Sequence, residues 1–323
     1  MIPAVANSEG TVSLGPGDSV LAFDVGGTDI KAALVDATGA VHEFERVATP
    51  PLGPDIADGI IASISQIAKG LIARYPGAVP LAAGVIVPGQ VDTVKGIAVQ
   101  AENIGWKNVP IRDRVAMELS LPVAFGHDVM GAGEAEKRLG AGSAFDNMVF
   151  VSIGTGLSCA IFIKGEPYVG TGMAGELGNV RVASEPLCSC GGYGCIEAIS
   201  SAAAIVRRYN ELSGAHVRGA KEVLELVEQG DVHAKSVWDS ALDALASGLS
   251  TVESLFAPEA IILGGGLSSA GDTLVRPLSE RLDSLRTFQA RPQLMCATLG
   301  QSAGIVGAAL LAREREPRPK ASK

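Results

Sequence analysis

The sequence predicts an α/β protein built from two related halves. The chain has 323 residues and is 47% hydrophobic, which is enough for a large core and, by length, for two domains. Apolar strand-like runs alternate with segments in which apolar residues recur every three or four positions, a pattern typical of α/β folds. The stretches 21–36 and 148–163 each contain an apolar strand, a glycine–threonine turn and a second apolar strand. Their likeness predicts two similar halves that face each other across a cleft.

The composition argues against several classes of partner. The formal net charge is −9 and the pI is about 5.0, and Lys and Arg are concentrated only in a weak tail at 313–323. Nucleic acid and anionic membranes are therefore not expected as main partners. The N-terminus has neither the basic segment nor the apolar segment of a signal peptide, and no run approaches the ~20 apolar residues of a membrane span. We expect a cytoplasmic protein that binds small molecules.

We expect the chain to divide into two lobes near position 122. We expect a flexible arm at 1–18, an N-terminal α/β lobe at 19–122 and a C-terminal α/β lobe at 123–302. A helix at about 303–314 is expected to rejoin the first lobe, and 315–323 is expected to be a charged tail. In α/β folds ligands bind at the carboxyl ends of strands, so the glycine-rich turns that follow the predicted strands are expected to converge.

The first of these turns is suited to a metal-bound phosphate. Asp24 lies within an apolar run, where a carboxylate is costly unless it has a cation or a donor as partner. Gly26 and Gly27 permit backbone angles that a side chain would forbid, and exposed amides together with the Thr28 hydroxyl can hold an anion. The alternative is an ordinary hairpin with a buried acid in its turn.

Two later turns extend the pattern. Thr155 and Gly156 belong to a second phosphate-type turn, so that two turns would bracket one ligand. Three glycines at 264–266 follow a short buried strand and would let a flat ring approach the backbone. A plain turn explains the three glycines equally well.

Three carboxylates are candidates for contact with a substrate. Asp128 ends a predicted strand just before a predicted helix, where it could accept a proton from a substrate hydroxyl. The same position also suits an ordinary helix N-cap. Glu176 and Glu197 flank a cysteine-rich segment, and both could accept hydrogen bonds from sugar hydroxyls if that segment folds back on the cleft. Otherwise they are solvated loop acids.

The cysteine-rich segment, called the cysteine knuckle below, spans residues 188–195. Cys188, Cys190 and Cys195 have the spacing C-x-C-x4-C, which suits one soft metal ion in a reducing compartment. Structural zinc takes four ligands, and no histidine lies between His127 and His216. The fourth ligand is therefore missing locally, and a loop of free thiols is the alternative.

In their order, these motifs resemble the ROK family of bacterial sugar kinases and repressors. The resemblance runs from about residue 20 to 312, and its most specific element is the cysteine knuckle with the Glu that follows it. The matching segments are DVGGTDIK at 24–31, the Pro-Gly loop at 88–89, NIGW at 103–106, His-Asp at 127–128, GTG at 154–156, GELG at 175–178, CSCGGYGCIE at 188–197 and IILGGGLS at 261–268.

The resemblance implies the actin-like ATPase (ribonuclease H-like) fold, with two α/β lobes and a central cleft. It also implies a homodimer that uses ATP and Mg²⁺ to phosphorylate a hexose, usually glucose, most often at the 6-hydroxyl. By position, Asp128 resembles the catalytic base. The residues that resemble the substrate-binding set are Asn103, His127, Asp128, Glu176, Asn179 and Glu197. Those that resemble the phosphate, metal and adenosine set are Asp24, Gly26, Gly27, Thr28, Lys31, Thr155, Gly156, Gly265, Gly266 and Leu267. The zinc-ligand set is Cys188, Cys190 and Cys195.

The chain departs from the family pattern at three places. Asn179 stands where the family usually has a histidine that is both a zinc ligand and a sugar contact. His127 replaces an asparagine that contacts the sugar, and Ser158 and Cys159 replace glycines after the second turn. A site built for one hydroxyl pattern leaves buried polar groups unpaired with another. The changes at 127 and 179 therefore predict a substrate other than plain glucose.

Two functions follow. The first is an ATP-dependent sugar kinase with Asp128 as general base, which the presence of Asp24, Thr28, Asp128 and Thr155 favours. The second is a catalytically silent sugar-binding or regulatory protein, motivated by the altered residues 127 and 179. We expect no DNA-binding domain, because only about twenty residues, neither basic nor helical in pattern, precede the first strand of the resemblance.

Overall fold

The computed structural model describes residues 6–7, 10–11 and 13–314. Residues 1–5, 8–9 and 12 of the predicted arm and the whole of the predicted tail lie outside these residues. The described chain forms two compact units. The first contains the residues up to Leu139 together with those from Ser302 onward, and the second is Gly140–Gln301.

Strands and helices alternate along the described chain, as predicted. The strands are β1 (Ala6–Asn7), β2 (Gly10–Thr11), β3 (Val20–Val25), β4 (Asp29–Val35), β5 (Val41–Ala48), β6 (Ala82–Val87), β7 (Gln90–Asp92), β8 (Ile97–Ala101), β9 (Trp106–Val109), β10 (Val123–His127), β11 (Met148–Ile153), β12 (Leu157–Ile163), β13 (Glu166–Tyr168), β14 (Ala260–Gly264) and β15 (Gln293–Cys296). The helices are α1 (Ile56–Arg74), α2 (Ile111–Leu119), α3 (Asp128–Leu139), α4 (Ile196–Ser200), α5 (Ala202–Ser213), α6 (Ala220–Glu228), α7 (Val232–Phe256), α8 (Asp272–Leu285) and α9 (Ala303–Glu314). Short 3-10 helices lie at Leu177–Asn179, Gly266–Ala270 and Gly300–Ser302.

Each unit contains a five-stranded sheet, and the two sheets have the same topology. The strand order is β10-β6-β3-β4-β5 in the first unit and β13-β12-β11-β14-β15 in the second. In the first sheet β3, β6 and β10 are parallel, while β4 and β5 continue from β3 as an antiparallel meander. In the second sheet β11, β14 and β15 are parallel, and β12 and β13 form the equivalent meander. The α/β class and the likeness of the two halves are thus confirmed.

The division between the units differs from the predicted boundary at 122. Strand β10 pairs in parallel with β6, from Val123 opposite Ala83 to His127 opposite Val87, so it extends the first sheet. Helix α3 packs on α9 so closely that a Cβ on Gly307 would overlap backbone atoms of Gly131. Sheet pairing and helix packing therefore keep 123–139 in the first unit, and the connection to the second unit comes after Leu139.

Each unit has its own hydrophobic core. In the first, the β3 and β4 side chains pack against α1, and in the second, β11 and β14 pack against α7. Helix α1 meets the length and composition criterion for a membrane span, contrary to the expectation that no run approaches one. Its apolar residues, such as Ile60, Ile64 and Leu71, are buried in the core, while Asp58 and Lys69 are exposed. This is the pattern of an amphipathic core helix.

Candidate active site

The turn between β3 and β4 presents an open backbone to solvent. Gly27 and Thr28 are exposed, and the turn is closed by the Gly26 N–H, which donates to the Asp29 carbonyl at 2.8 Å. Thr49 braces the turn twice. Its hydroxyl donates to the Gly26 carbonyl at 2.7 Å, and its N–H donates to the Thr28 carbonyl at 2.8 Å. Exposed amides on a fixed turn are suited to an anion.

Asn103 lies directly against this turn. It belongs to the loop between β8 and β9, and a Cβ on Gly27 would lie 3.1 Å from its Nδ2 and 3.2 Å from its carbonyl oxygen. A side chain at position 27 would therefore crowd Asn103. Within the first unit, the structure brings together a predicted sugar contact and a predicted phosphate turn.

Asp24 is a partly buried carboxylate that has Lys31 as a cationic neighbour. Its Oδ2 accepts a hydrogen bond from Lys31 Nζ at 3.4 Å, across the β3–β4 ladder in which the two residues are opposite each other. Burial raises the pKa of Asp24, the Lys31 charge lowers it, and the Asp128 charge raises it further. The carboxylate is thus electrostatically coupled to the predicted base.

Asp128 is the first residue of α3, at the carboxyl end of β10. Its Oδ1 accepts the Val129 N–H at 2.7 Å and lies 3.4 Å from His127 Nδ1. A helix cap accepts from the second or third helical amide, whereas this carboxylate accepts from the next residue. The Asp128 side chain keeps 28% of its surface exposed, so one carboxylate can contact both its helix and a ligand.

The second turn, between β11 and β12, is held by Glu197. The Gly154 N–H donates to the Gly156 carbonyl at 2.9 Å, and Thr155 and Gly156 are exposed. Glu197 Oε2 accepts the Leu157 N–H at 2.9 Å. A Cβ on Gly156 would lie 2.7 Å from that oxygen, so a side chain at 156 would displace the carboxylate from its position on the turn.

Glu176 and Asn179 form a separate pair in the second unit. Asn179 Nδ2 donates to Glu176 Oε2 at 3.4 Å, and both residues are exposed. The 3-10 helix between them packs over Glu197, because a Cβ on Gly178 would lie 3.2 Å from the Glu197 Cβ. The segment that carries Glu176 therefore packs against Glu197, so the two acids that the sequence predicts to bind sugar hydroxyls lie on adjoining segments.

The glycine-rich loop after β14 packs on the strand that leads into the second turn. Gly265 has φ 76°, and a Cβ on it would lie 2.5 Å from the Ile153 carbonyl oxygen. Gly266 starts the following 3-10 helix, and the Leu267 side chain is buried in the core. A ligand at this loop would meet the backbone at 264–267 rather than the Leu267 side chain.

The cysteine knuckle brings its three thiols together. The three Sγ atoms lie within 4.8 Å of one another, and those of Cys190 and Cys195 are 3.6 Å apart. The backbone N–H of Gly192 lowers the pKa of Cys190, whereas burial and the neighbouring thiols raise the pKa of Cys195. Zinc takes four ligands in structural sites. Among the described residues no His, Asp or Glu joins the three sulfurs, so the donor set is one ligand short.

Three residues at the site were not predicted from sequence. Thr49 braces the first turn from a segment with no pattern beyond that of a loop. Ser189, inside the knuckle, donates to Glu197 Oε1 at 3.3 Å. Gly304, near the start of α9, leaves no room for a side chain beside Asp24. Each of these residues acts through a contact with a residue that is distant in the chain or through the folded loop, and a local sequence pattern does not reveal such contacts.

Two sheets of the same topology, each with a glycine–threonine turn after its first parallel strand, define a protein of the actin-like ATPase fold class. The chain belongs to the ROK family, whose model matches residues 20–315.

Relatives with assigned activities cover nearly all of the chain. It is 31% identical to a glucokinase of Halalkalibacterium halodurans, over 91% of this chain and 94% of that protein. It is 30% identical to an N-acetylmannosamine kinase of Yersinia pseudotuberculosis, over 91% of this chain and 98% of that protein. The solved structure of a ROK family glucokinase from Streptomyces griseus with glucose and AMPPNP is similar, with a TM-score of 0.78 and 31% identity over 92% of this chain and 99% of that chain.

Proposed function

We propose that the protein is an ATP-dependent kinase that phosphorylates the 6-hydroxyl of a hexose or N-acetylhexosamine. The observation that carries the proposal is the placement of Asp128 and Asp24. Asp128 directly follows β10, and Asp24 is the residue before last of β3. These parallel strands flank β6 in one sheet, and the two charges interact. A base beside a phosphate-binding acid is what transfer of a phosphoryl group to a hydroxyl requires.

In this reaction Asp128 accepts the proton of the acceptor hydroxyl as that oxygen attacks the γ-phosphate of ATP. The Val129 N–H holds one carboxylate oxygen, which fixes the carboxylate for general-base catalysis. The exposed turns with Gly27 and Thr28, and with Thr155 and Gly156, supply amides and hydroxyls for the phosphates.

Asp24 is the residue that would hold magnesium. A buried carboxylate needs a cationic partner, and Lys31 already supplies one positive charge to it. When bound, magnesium neutralises charge on the phosphates of the nucleotide.

The sugar-binding part of the proposal rests on Asn103, His127, Glu176, Asn179 and Glu197. Each of them lies against another predicted site residue: Asn103 meets Gly27, His127 meets Asp128, Asn179 meets Glu176, and Glu197 meets Gly156. Because an imidazole and an amide replace the family's usual side chains at 127 and 179, we propose an acceptor other than plain glucose.

We also propose that the protein acts in the cytoplasm as a homodimer. The five cysteines of the chain are all free thiols in the structure, which suits a reducing compartment. The homodimer rests on the family resemblance, and light scattering coupled to gel filtration would test it. We assign no step of the reaction to zinc.

The test is a panel of hexoses and N-acetylhexosamines, assayed for ADP release with ATP and Mg²⁺ and for binding by calorimetry. We expect at least one sugar to give turnover and a product phosphorylated at the 6-position by NMR. Binding of a sugar without phosphate transfer to any member of the panel would contradict the kinase proposal. That outcome would favour the silent sugar-binding protein instead.

A further inference from the structure

The cysteine knuckle has the thiols of a metal site but lacks a complete set of ligands. Its three Sγ atoms lie within 4.8 Å of one another, and among the described residues no His, Asp or Glu side chain completes the group. The Asn179 amide, which donates to Glu176, is a poor ligand for zinc. A structural zinc site takes four ligands, so these thiols are available for other chemistry.

A cation flanks two of the thiols. A Cβ on Gly192 would lie 3.2 Å from Arg181 Nη2, 3.4 Å from Cys190 Sγ and 3.5 Å from Cys195 Sγ. The guanidinium and both sulfurs therefore surround one point. A positive charge there disfavours the binding of a divalent cation, because like charges repel. The two sulfurs then face each other.

The two sulfurs differ in accessibility. Cys190 is exposed, whereas Cys195 is buried behind it, and their Sγ atoms are 3.6 Å apart. Cys188 is also buried, and its Sγ lies 3.9 Å from the Ser189 hydroxyl. An oxidant from solvent reaches Cys190 first, and Cys195 is the partner in contact with it.

We propose that Cys190 and Cys195 form a thiol–disulfide site that a small soluble disulfide oxidises. The Cys190 sulfur attacks one sulfur of the small disulfide and releases one small thiol. The Cys195 sulfur then attacks the Cys190 sulfur of the mixed disulfide and releases the second. Two protein thiols become one disulfide, the small disulfide is reduced to two thiols, and the two protons pass to the departing thiolates.

Oxidation would act on Glu197, and this consequence rests on the proposed function. Cys195 directly precedes α4, which carries Glu197. Ser189, next to Cys190, donates to Glu197 Oε1. Drawing the two sulfurs from 3.6 Å to bonding distance would move both the start of α4 and the Ser189 donor relative to that carboxylate. We expect the KM for the sugar to rise about threefold or more, with recovery after reduction.

The experiment uses the whole protein, first with metal analysis and then with oxidised glutathione under native conditions. We expect a loss of about 2 Da in intact mass and of two thiols per chain, because a disulfide removes two hydrogens. Cys159 should stay reduced, because burial raises its pKa to about 12. Cys190→Ser and Cys195→Ser should abolish the mass loss, and Cys188→Ser should retain it.

Two results would overturn the proposal. One is stoichiometric zinc that protects all three thiols from the oxidant. The other is oxidation that stops at a mixed disulfide with glutathione in the wild-type chain. Both readouts are independent of kinase activity, so a failure of the proposed sugar phosphorylation leaves this test intact.

Discussion

Gly304, the second residue of α9, packs directly against the carboxylate of Asp24. A Cβ at this position would overlap the Asp24 Oδ2 and Cγ atoms. The C-terminal helix thus sets the space in which the predicted metal-holding carboxylate sits. Because Gly304 contacts the carboxylate end of Asp24 itself, a small displacement of the backbone at 304 would move that carboxylate.

Gly304→Ala should therefore impair catalysis more than folding. The added methyl group pushes the end of a side chain rather than backbone, and misplacement by about 1 Å can cost up to 10²-fold in rate. We expect kcat/KM to fall about 10- to 100-fold and the requirement for Mg²⁺ to rise. Gly77→Ala is the control, because nothing lies within 4 Å of its Cβ position. Equal effects of the two substitutions would contradict the role of Gly304.

Asp128→Asn should remove the base while leaving its surroundings in place. The amide can keep the hydrogen bond from Val129 but cannot accept a proton from the sugar. We expect kcat to fall about 10²- to 10⁴-fold, the usual range for loss of a general base, with sugar binding retained by calorimetry. Asp113→Asn, whose side chain is 63% exposed, serves as control. Turnover within tenfold of wild type would remove Asp128 from this role.

Gly265→Ala should weaken nucleotide binding selectively. At φ 76° an alanine costs roughly 1–2 kcal/mol, and its Cβ would also press on the Ile153 backbone. We expect the KM for ATP to rise about tenfold, the equivalent of about 1.4 kcal/mol, while the KM for the sugar changes little. The comparison is Gly219→Ala, whose Cβ position is open. A rise in the sugar KM alone would contradict the assignment.

Asp36 provides a prediction about pH and stability. Burial would raise its pKa, but hydrogen bonds from the Thr38 and His42 side chains and from the Ala40 and Thr38 amides hold the pKa well below its usual range. Hydrogen bonds to a charged group are worth about 1.5–3 kcal/mol each, so Asp36→Asn should lower the free energy of unfolding by about 1–3 kcal/mol at pH 7.

The sign of the pH dependence follows from the lowered pKa. The stabilisation by Asp36 is complete above the unfolded-state pKa of about 3.9 and is lost as the pH falls toward the folded-state value. Urea unfolding from pH 7 to 3 should show the two proteins converging only below about pH 4. Asp55→Asn is the control, because Asp55 makes no side-chain cap bond. A difference that persists unchanged at pH 3 would contradict the prediction.

Local pattern was sufficient for most of the secondary structure. The predicted helix at 129–139 is observed as α3 over Asp128–Leu139, and the predicted second hairpin is observed as β11 and β12. Apolar periodicity and glycine act over a few residues, so such elements are specified where they occur. For the same reason the glycine–threonine turns and the acid at 128 could be found from the chain alone.

By itself, the sequence determined the α/β class, the repeated strand–turn–strand units, the candidate base and the ordered motifs of the ROK family. Only the tertiary structure decided that β10 joins the first sheet, that Thr49 braces the first turn and that Gly304 limits the space around Asp24. Those relations join residues that are distant in the chain. They depend on which surfaces pack together, and a pattern of neighbouring residues carries no information about that packing.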